Sequence, residues 1–415
     1  MIPTAAEFGG GGVMIDRRSF GAWLAAAVAV LAGGAPARAA DPIRVGEINS
    51  YSGIPAFTEP YRKGWQLAVE EINAAGGVLG RPIEVISRDD AGRPADAITA
   101  ANELVSREKV DLLAGTFFSN IGLAVSDFAR QRKILFVAAE PLTDAMVWEQ
   151  GSRYTFRLRP PNWVQAAILA EEAAKLPAKR WATIAPNYEY GQSAVKVFKQ
   201  ILSEKRPDIE WVGEQWPPQG KIDAGSVVQA TLATKPDAIL NVTFGPDLVK
   251  LVREGNTRGL FRGRDVVSFI TGEPEYLDPL KEETPEGWIV TGYPWQAVGT
   301  PEHQKFLDAY KARFNDYPRL GSVVGYATFK TIAAIVERAG SLDTEKLIEA
   351  GRGVEVDTPF GRIAFRAADH QSTLGAFVGK TAVKDGRGVM VDFVYRSGAD
   401  YLPDEATATK LRRPD

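Results

Sequence analysis

The chain has 415 residues, of which 45% are hydrophobic and 24% are charged, and its formal net charge is −3. This length favours two globular domains, and the lack of a long basic run argues against nucleic acid as a partner. The sequence contains no cysteine and only two histidines, His303 and His370. Thiol chemistry, disulfides and Cys-ligated metals are therefore excluded, and we expect no metal, no cofactor and no histidine-based catalytic triad.

Residues 1–39 have the features of a secretion signal. Paired arginines in Arg17–Phe20 precede an alanine-rich apolar stretch, Trp23–Leu31, and Ala37–Ala39 forms an A-x-A cleavage site. The arginine pair indicates the twin-arginine export route, although ordinary Sec signals carry paired basic residues too. Met14 is an alternative start. Because no later stretch reads as a membrane span, the sequence predicts a protein exported to the periplasm, cleaved near Ala39 and not embedded in a membrane.

After the signal, apolar runs alternate with amphipathic helical spacings. A helix is predicted from about Tyr61 to Ala75, where apolar residues share one face and two glycines follow. Alternation of this kind predicts a parallel sheet with helices on both faces. The predicted strands of this first half are Ile43–Ile48, Pro82–Ser87, Val110–Ala114 and Ile134–Ala138.

The third of these units has a loop that suits a ligand. The strand ends at Gly115, Phe117 and Phe118 follow, and Ser119 and Asn120 are good N-cap residues for the next helix. In an open parallel sheet that point faces the ligand crevice, and the helix N-terminus favours an anion. The pattern therefore predicts a pocket for a small carboxylate with an apolar body. A plain strand–helix turn with core phenylalanines is the alternative.

The pattern pauses at Pro160 and Pro161 and then restarts. The second half repeats a helix followed by PDAILNVTF, in which Asp237 matches Asp111 and Phe244 matches Phe117. Two α/β lobes of like topology facing each other across a cleft are therefore predicted, with a single large sheet as the alternative. We expect lobe 1 to comprise residues 43–159 and 292–358, and lobe 2 to comprise 160–291 and 359–400.

The lobes should be joined by three crossings. We place these crossings near Arg159, near Thr291–Pro294 and near Thr358. The polar segment after Tyr401, residues 401–415, is predicted to be a loosely held tail.

Several motifs in the same order along residues 43 to about 395 carry a family resemblance. They include IRVGEINSYSG, GWQLAVEEINAAGGVLGRPIEV, VDLLAGTFFSN, NYEYGQS and TPFGRIAF. With these motifs the chain resembles the type I periplasmic solute-binding proteins of the branched-chain amino-acid (Leu/Ile/Val-binding) family, which deliver ligands to ABC transporters. The resemblance implies two Rossmann-like lobes that close on a ligand like a Venus flytrap.

The same resemblance implies roles for individual residues. Ser119 matches the serine that binds the ligand carboxylate, and Leu142 and Thr143 match a loop that offers a threonine and backbone groups. Glu273 sits at about the place of an acid that holds the ligand ammonium. Other residues of the strand-end loops are expected to contact the ligand body: Tyr51, Phe57, Phe117, Phe118, Tyr188, Tyr190 and Phe244.

One departure from the family concerns Gly92 and Phe118. These residues occupy the positions of a disulfide that branched-chain amino-acid receptors often carry, so here a bulky ring replaces the bridge. A larger apolar wall follows, and it puts a branched-chain ligand in question.

The sequence is thus interpreted as a monomeric solute-binding protein of an ABC importer, not an enzyme, with permease subunits as partners. Its ligand is a branched-chain or other hydrophobic amino acid. The alternatives are a binder of aromatic or short aliphatic carboxylic acids or amides, and a periplasmic sensor. A hydrolase on the same scaffold would lack cysteine and well-placed histidines.

Overall fold

The computed structural model describes residues 10–12 and 41–413. The paired arginines, the apolar stretch and the cleavage site of the predicted signal peptide lie outside these residues. Two separate β-sheets with helices around them account for most of the described chain, so the predicted mixed α/β fold with two lobes is confirmed.

The first sheet has five parallel strands in the order β2-β1-β3-β4-β5. The predicted helix near Tyr61 begins earlier, at Pro55, because a proline fits the first turn of a helix. The strands are β1 (Ile43–Asn49), β2 (Ile83–Asp89), β3 (Leu112–Gly115), β4 (Phe136–Ala138) and β5 (Thr155–Arg157), and the helices between them are α1 (Pro55–Ala74), α2 (Pro94–Ser106) and α3 (Ser119–Arg132).

The chain then passes to the second sheet, whose core strands are also parallel. The strands β8 and β9 are buried on both faces, as expected for strands covered by helices. The strands are β6 (Arg180–Ile184), β7 (Glu210–Gln215), β8 (Ala238–Asn241), β9 (Asp265–Gly272) and β10 (Ile289–Gly292), and the helices are α4 (Asn162–Ala173), α5 (Glu189–Lys205), α6 (Ala224–Ala233), α7 (Gly245–Arg258) and α8 (Pro274–Leu280).

After β10 the chain returns to the first lobe, where α10 packs closely against α1. A Cβ added to Gly64 of α1 would lie 2.0 Å from the carbonyl oxygen of Ser322, so glycine permits the two helices to touch. The elements of this return are α9 (Pro301–Phe314), α10 (Leu320–Ala339), α11 (Thr344–Gly351), and the antiparallel hairpin of β11 (Glu355–Thr358) and β12 (Gly361–Ala364).

The last strands, β13 (Ala376–Lys384) and β14 (Arg387–Arg396), complete the second sheet in the order β14-β13-β10-β9-β8-β6-β7. The sequence predicts this third crossing near Thr358, but the chain crosses later. The β11–β12 hairpin and the bridge between Arg157 and Gln371 keep it beside the first sheet, and it joins the second sheet at Ala376.

The two halves share the local feature that the sequence repeat suggests. Asp111, before β3, accepts a hydrogen bond from the backbone N–H of Arg44 at 2.7 Å. Asp237, before β8, accepts one from the N–H of Arg180 at 3.0 Å. Each aspartate thus ties the start of one strand to the start of its parallel neighbour.

Helix α10 is long and apolar enough to cross a membrane by length and composition alone. However, 72% of its apolar window is buried inside the protein. Its apolar residues form the centre of the first lobe, where α10 packs on α1.

The predicted loosely held tail is wrong for most of its length. Residues Glu405–Leu411 form α12, and Leu402 and Ala408 are buried. The indole N–H of Trp163 donates to the carbonyl of Tyr401 at 3.1 Å, and the N–H of Arg413 donates to the carbonyl of Trp148 at 2.9 Å. In both of these bonds the tail contributes a backbone group, so its polar composition did not reveal them.

Candidate ligand-binding site

Loops at the carboxyl ends of both sheets meet and bring aromatic rings of the two lobes into contact. The ring of Phe244, after β8, lies 6.1 Å from that of Phe117 and 6.5 Å from that of Phe118, centroid to centroid. Phe118 also lies 6.2 Å from Tyr188 of the second lobe. We call these rings the aromatic cluster: Phe117, Phe118, Tyr188, Tyr190, Phe244 and Tyr276.

The ring of Phe118 packs against the turn that contains Gly92, the residue with which the resemblance pairs it. A Cβ added to Gly92 would lie 3.3 Å from the ring of Phe118, and Gly92 has a positive φ of 71°. Glycine therefore leaves room for the ring and permits the turn. The pair that the resemblance relates to a disulfide is a ring-on-glycine contact here.

Ser119 lies at the helix start, but it is not the N-cap that the sequence predicts. Phe118 takes that place in extended conformation, and Ser119 is the first residue of α3. The Ser119 Oγ accepts hydrogen bonds from the backbone N–H groups of Leu142 and Thr143, each at 3.2 Å. The side chain therefore ties the start of α3 to the loop after β4 and gathers two backbone donors beside it.

The guanidinium of Arg157 fixes the other side of that loop. It donates to the carbonyl of Pro141 at 3.3 Å and to that of Thr143, and its Nε donates to Gln371 at 2.6 Å. Arg157 is fully buried. Two carbonyls of the loop therefore point to Arg157, while the loop N–H groups of Leu142 and Thr143 point to Ser119.

A small cavity lies among these loops. Its volume is about 20 Å³, which is room for about one water molecule. Five rings of the aromatic cluster form much of its wall. The cavity is lined by Phe117, Ser119, Glu140, Leu142, Arg159, Tyr188, Tyr190, Phe244, Ile270 and Tyr276.

One guanidinium at this cavity is shared by two carboxylates from different lobes. Arg159 donates through Nη1 to Glu140 Oε2 at 2.9 Å and through Nη2 to Glu273 Oε1 at 2.7 Å. The side chains are 6%, 1% and 1% exposed for Arg159, Glu140 and Glu273. Among the described residues, the second oxygen of each carboxylate has no hydrogen-bond partner. Two acids therefore meet one fixed cation.

Burial raises the pKa values of the carboxyl groups around Arg159. Loss of hydration raises the pKa of Glu140 to about 8 and that of Glu273 to about 7, although the charge of Arg159 opposes both shifts. Glu275 of α8 lies nearby, and burial raises its pKa to about 8. Its Oε1 accepts from the N–H of Gly321 at 2.7 Å, at the start of α10 in the other lobe.

Of the predicted site residues, most come together here. Phe117, Phe118, Ser119, Leu142, Tyr188, Tyr190 and Phe244 line the cavity or belong to the aromatic cluster. Phe57 lies behind them, with its ring 4.9 Å from that of Phe117.

Three predicted residues are placed elsewhere. The hydroxyl of Thr143 donates to Glu189 of the second lobe at 2.5 Å, so only its N–H faces Ser119. The hydroxyl of Tyr51 donates to Glu47 at 3.0 Å, inside the first lobe. Glu273 binds Arg159 but does not line the cavity.

Sequence reasoning missed Glu140, Arg159, Ile270 and Tyr276 as lining residues. Glu140 and Arg159 follow two adjacent strands, β4 and β5, so their position at the carboxyl edge could have suggested them. The two ion pairs have no signature in the sequence, because Glu140 and Glu273 lie 19 and 114 residues from Arg159 and meet it only in the fold.

The chain was compared with known proteins. A family profile described as "Periplasmic binding protein" matches residues 42–387. The Leu/Ile/Val-binding protein homolog 7 of Brucella suis biovar 1 (strain 1330) is 27% identical over 347 residues, which cover 79% of this chain and 85% of the relative. A leucine-, isoleucine-, valine-, threonine- and alanine-binding protein of Pseudomonas aeruginosa is 26% identical, covering 82% and 90%.

A solved structure has the same fold. It is a solute-binding protein of an ABC transporter from Rhodopseudomonas palustris BisB5 in complex with 3,4-dihydroxybenzoic acid, and it superposes with a TM-score of 0.77. Sequence identity is 24%, and the superposition covers 86% of this chain and 98% of that one.

Proposed function

The chain belongs to the type I periplasmic binding proteins, in the family of the Leu/Ile/Val-binding proteins, and on that premise we propose that it is the solute-binding component of an ABC importer for hydrophobic amino acids. Its ligand binds between the lobes, and permease subunits recognise the closed form. We also propose export to the periplasm with cleavage near Ala39, action as a monomer, and no catalytic activity.

The observation that carries this proposal is the pair of buried carboxylates that share Arg159. Although burial raises both pKa values, a cation bound beside these acids would favour their ionised forms, and with both ionised the group bears one net negative charge in a space walled by aromatic rings. A ligand that brings only negative charge would increase this imbalance, whereas the ammonium of an amino acid would offset it. Burying a charge without a partner costs several kcal/mol, on the order of the affinity itself.

The remaining groups suit the rest of an amino acid. The N–H groups of Leu142 and Thr143, the Ser119 hydroxyl and the positive end of the α3 dipole suit the carboxylate. The aromatic cluster suits an apolar side chain. All of these groups lie at the edges of two sheets that can separate.

Ligand entry requires movement, because a cavity of about 20 Å³ is much smaller than an amino acid. The lobes must open about the crossings, and the aromatic rings of the two lobes must separate. Hinge closure of this kind is the common motion of periplasmic receptors. The contacts of Phe244 with Phe117 and Phe118 are then replaced by contacts with the ligand.

A thermal-shift panel tests the proposal. Purified mature protein is heated with leucine, isoleucine, valine, phenylalanine and tyrosine, and in parallel with benzoate, 4-hydroxybenzoate and short aliphatic acids. A ligand at about 100 times its dissociation constant adds roughly 2.7 kcal/mol of stability. Shifts with amino acids support the proposal. Shifts with the benzoates alone would replace it with the second candidate.

That second candidate is a binder of aromatic carboxylic acids. The aromatic cluster favours it, since five of its rings, from both lobes, line the cavity and would stack on an aromatic ligand. The Rhodopseudomonas palustris protein of the same fold binds 3,4-dihydroxybenzoic acid. In this case the carboxylate would face Glu140 as well as Arg159, so one of the buried acids would have to hold a proton, which the raised pKa values of Glu140 and Glu273 favour.

A further inference from the structure

The two acids that share Arg159 occupy different surroundings. Glu140, directly after β4, lines the cavity together with Ser119, Leu142 and the aromatic cluster. Glu273, at the start of α8, lines a separate small cavity beside the crossings, with Gln165, Thr291 and residues near the start of α10. Arg159 lies between them and borders both cavities.

The free oxygen of Glu140 is the relevant atom. Oε2 is held by Arg159 at 2.9 Å, and Oε1 is buried with no hydrogen-bond partner in residues 10–12 and 41–413. The glutamate is 2% exposed, so water does not solvate it freely. An unsatisfied buried carboxylate oxygen is costly, and a ligand that donates to it recovers that cost on binding.

We infer that Glu140 of the first lobe, and not Glu273, receives the ammonium group of the ligand and sets the preference for amino acids over the same acids without an amino group. This assignment rests on the proposed function. It places the carboxylate-binding groups, Ser119 and the N–H groups of Leu142 and Thr143, on the same lobe as the ammonium acceptor. An amino acid can then bind the open first lobe by both charged groups before the second lobe closes.

Arg159 has a supporting role in this arrangement. Its guanidinium fixes one oxygen of Glu140 and thereby orients the other, while Glu273 balances the second branch of the same guanidinium. Glu273 is therefore a positioning residue. Its replacement should reduce the preference for the ammonium less than replacement of Glu140 does, because Glu140 is the one of the two that lines the cavity.

The test compares Glu140→Gln with Glu273→Gln as the matched control. Both variants keep the side-chain shape and a carbonyl acceptor for Arg159, and both remove one buried carboxylate. Dissociation constants are measured by calorimetry for two ligand pairs: leucine with 4-methylpentanoate, and phenylalanine with 3-phenylpropanoate. The readout is the ratio of the two constants within a pair, because a general loss of fold or of closure cancels in that ratio.

We expect the wild-type protein to prefer the amino acid and E140Q to lose about 10- to 100-fold of that preference, as for a charged hydrogen bond. E273Q also removes the net negative charge of the group, so part of the preference should be lost there too, but less than in E140Q, because only Glu140 lines the cavity. Glu140→Asp is used if E140Q does not fold. It keeps the charge but draws the carboxylate back by one methylene, and it should reduce the preference in part.

The outcomes distinguish the assignment of Glu140 from the proposed function on which it rests. An unchanged preference in E140Q or E140D, or a loss in E273Q as large as that in E140Q, overturns the assignment of Glu140 and leaves the proposed function standing. A wild-type protein that prefers the acids without an amino group, or that binds no member of either pair, overturns both.

Discussion

Replacing Ser119 by alanine removes the hydroxyl at the start of α3. In the structure Ser119 is 2% exposed, and its hydroxyl oxygen accepts from the N–H groups of Leu142 and Thr143 at 3.2 Å each. A ligand carboxylate would take over those two donors, and the hydroxyl would then donate its own proton to the carboxylate. The variant therefore loses one hydrogen bond to a charged group in the complex.

Such a bond contributes about 1.5–3 kcal/mol, which corresponds to roughly a 10- to 150-fold loss of affinity. The ligand-free state moves the result toward the lower end. Without the Ser119 Oγ, the N–H groups of Leu142 and Thr143 lose their acceptor, so the free protein is also less stable. Because the substitution destabilises the free protein as well as the complex, the difference between the two states is smaller. We therefore expect the affinity to fall by about 10- to 50-fold.

Calorimetry with the ligand that gives the largest thermal shift measures this change, and denaturant unfolding measures the stability of each variant. Ser126→Ala is the matched control. Ser126 lies on the same helix, away from the cavity, with its Oγ 2.8 Å from the hydroxyl of Thr155. S126A should lose stability and keep its affinity. If S119A binds a carboxylate ligand as tightly as S126A does, the anion does not sit at this helix start.

Two further predictions concern stability. Gly64→Ala should cost about 1–3 kcal/mol in urea unfolding, because the new Cβ would lie 2.0 Å from the carbonyl oxygen of Ser322. Gly225→Ala, where a new Cβ would meet its nearest neighbours only at 3.5 Å, should change stability by less than about 1 kcal/mol. Equal effects of the two substitutions would contradict the packing argument. Burial lowers the pKa of His370 from 6.5 to about 3, so the unfolded chain binds a proton there that the folded chain does not, and the contribution present above pH 6.5 is lost as pH falls. Between pH 7 and pH 5 this amounts to about 2 kcal/mol. His370→Asn, which tolerates the positive φ of 59°, should lessen the difference between the two pH values by that amount, and an unchanged difference would refute the assignment.

Much of the fold follows from local sequence. Buried parallel strands appear as short apolar runs, and glycine and proline mark where helices stop and start, so the alternation of β1 to β4 with α1 to α3 could be read directly. The repeat around Asp111 and Asp237 gave the second lobe. Errors arose where distant contacts decide the outcome. The sequence predicts the third crossing near Thr358, but the chain crosses only before Ala376. The β11–β12 hairpin and the bridge to Arg157 hold it beside the first sheet until then.

The tail shows the same limit. Its composition is polar, which is typical of a loose terminus, yet carbonyls and N–H groups anchor residues 401–413 to both lobes. Backbone groups are the same in every residue, so composition carries no record of where they will bond. For the same reason, the sequence could not tell that Ser119 would be tied to the N–H groups of Leu142 and Thr143.

The sequence by itself determined the class of the molecule and the residues at the ends of its strands. A parallel sheet presents those ends along one edge, and aromatic and hydroxyl side chains there were visible as a site before any contact was known. Only the tertiary structure decided which of them face one another. Ion pairing brings Glu140 and Glu273, 19 and 114 residues away in the sequence, to Arg159. Thr143 and Tyr51 bond to Glu189 and Glu47 instead, because buried polar groups are satisfied by whatever the fold brings near them.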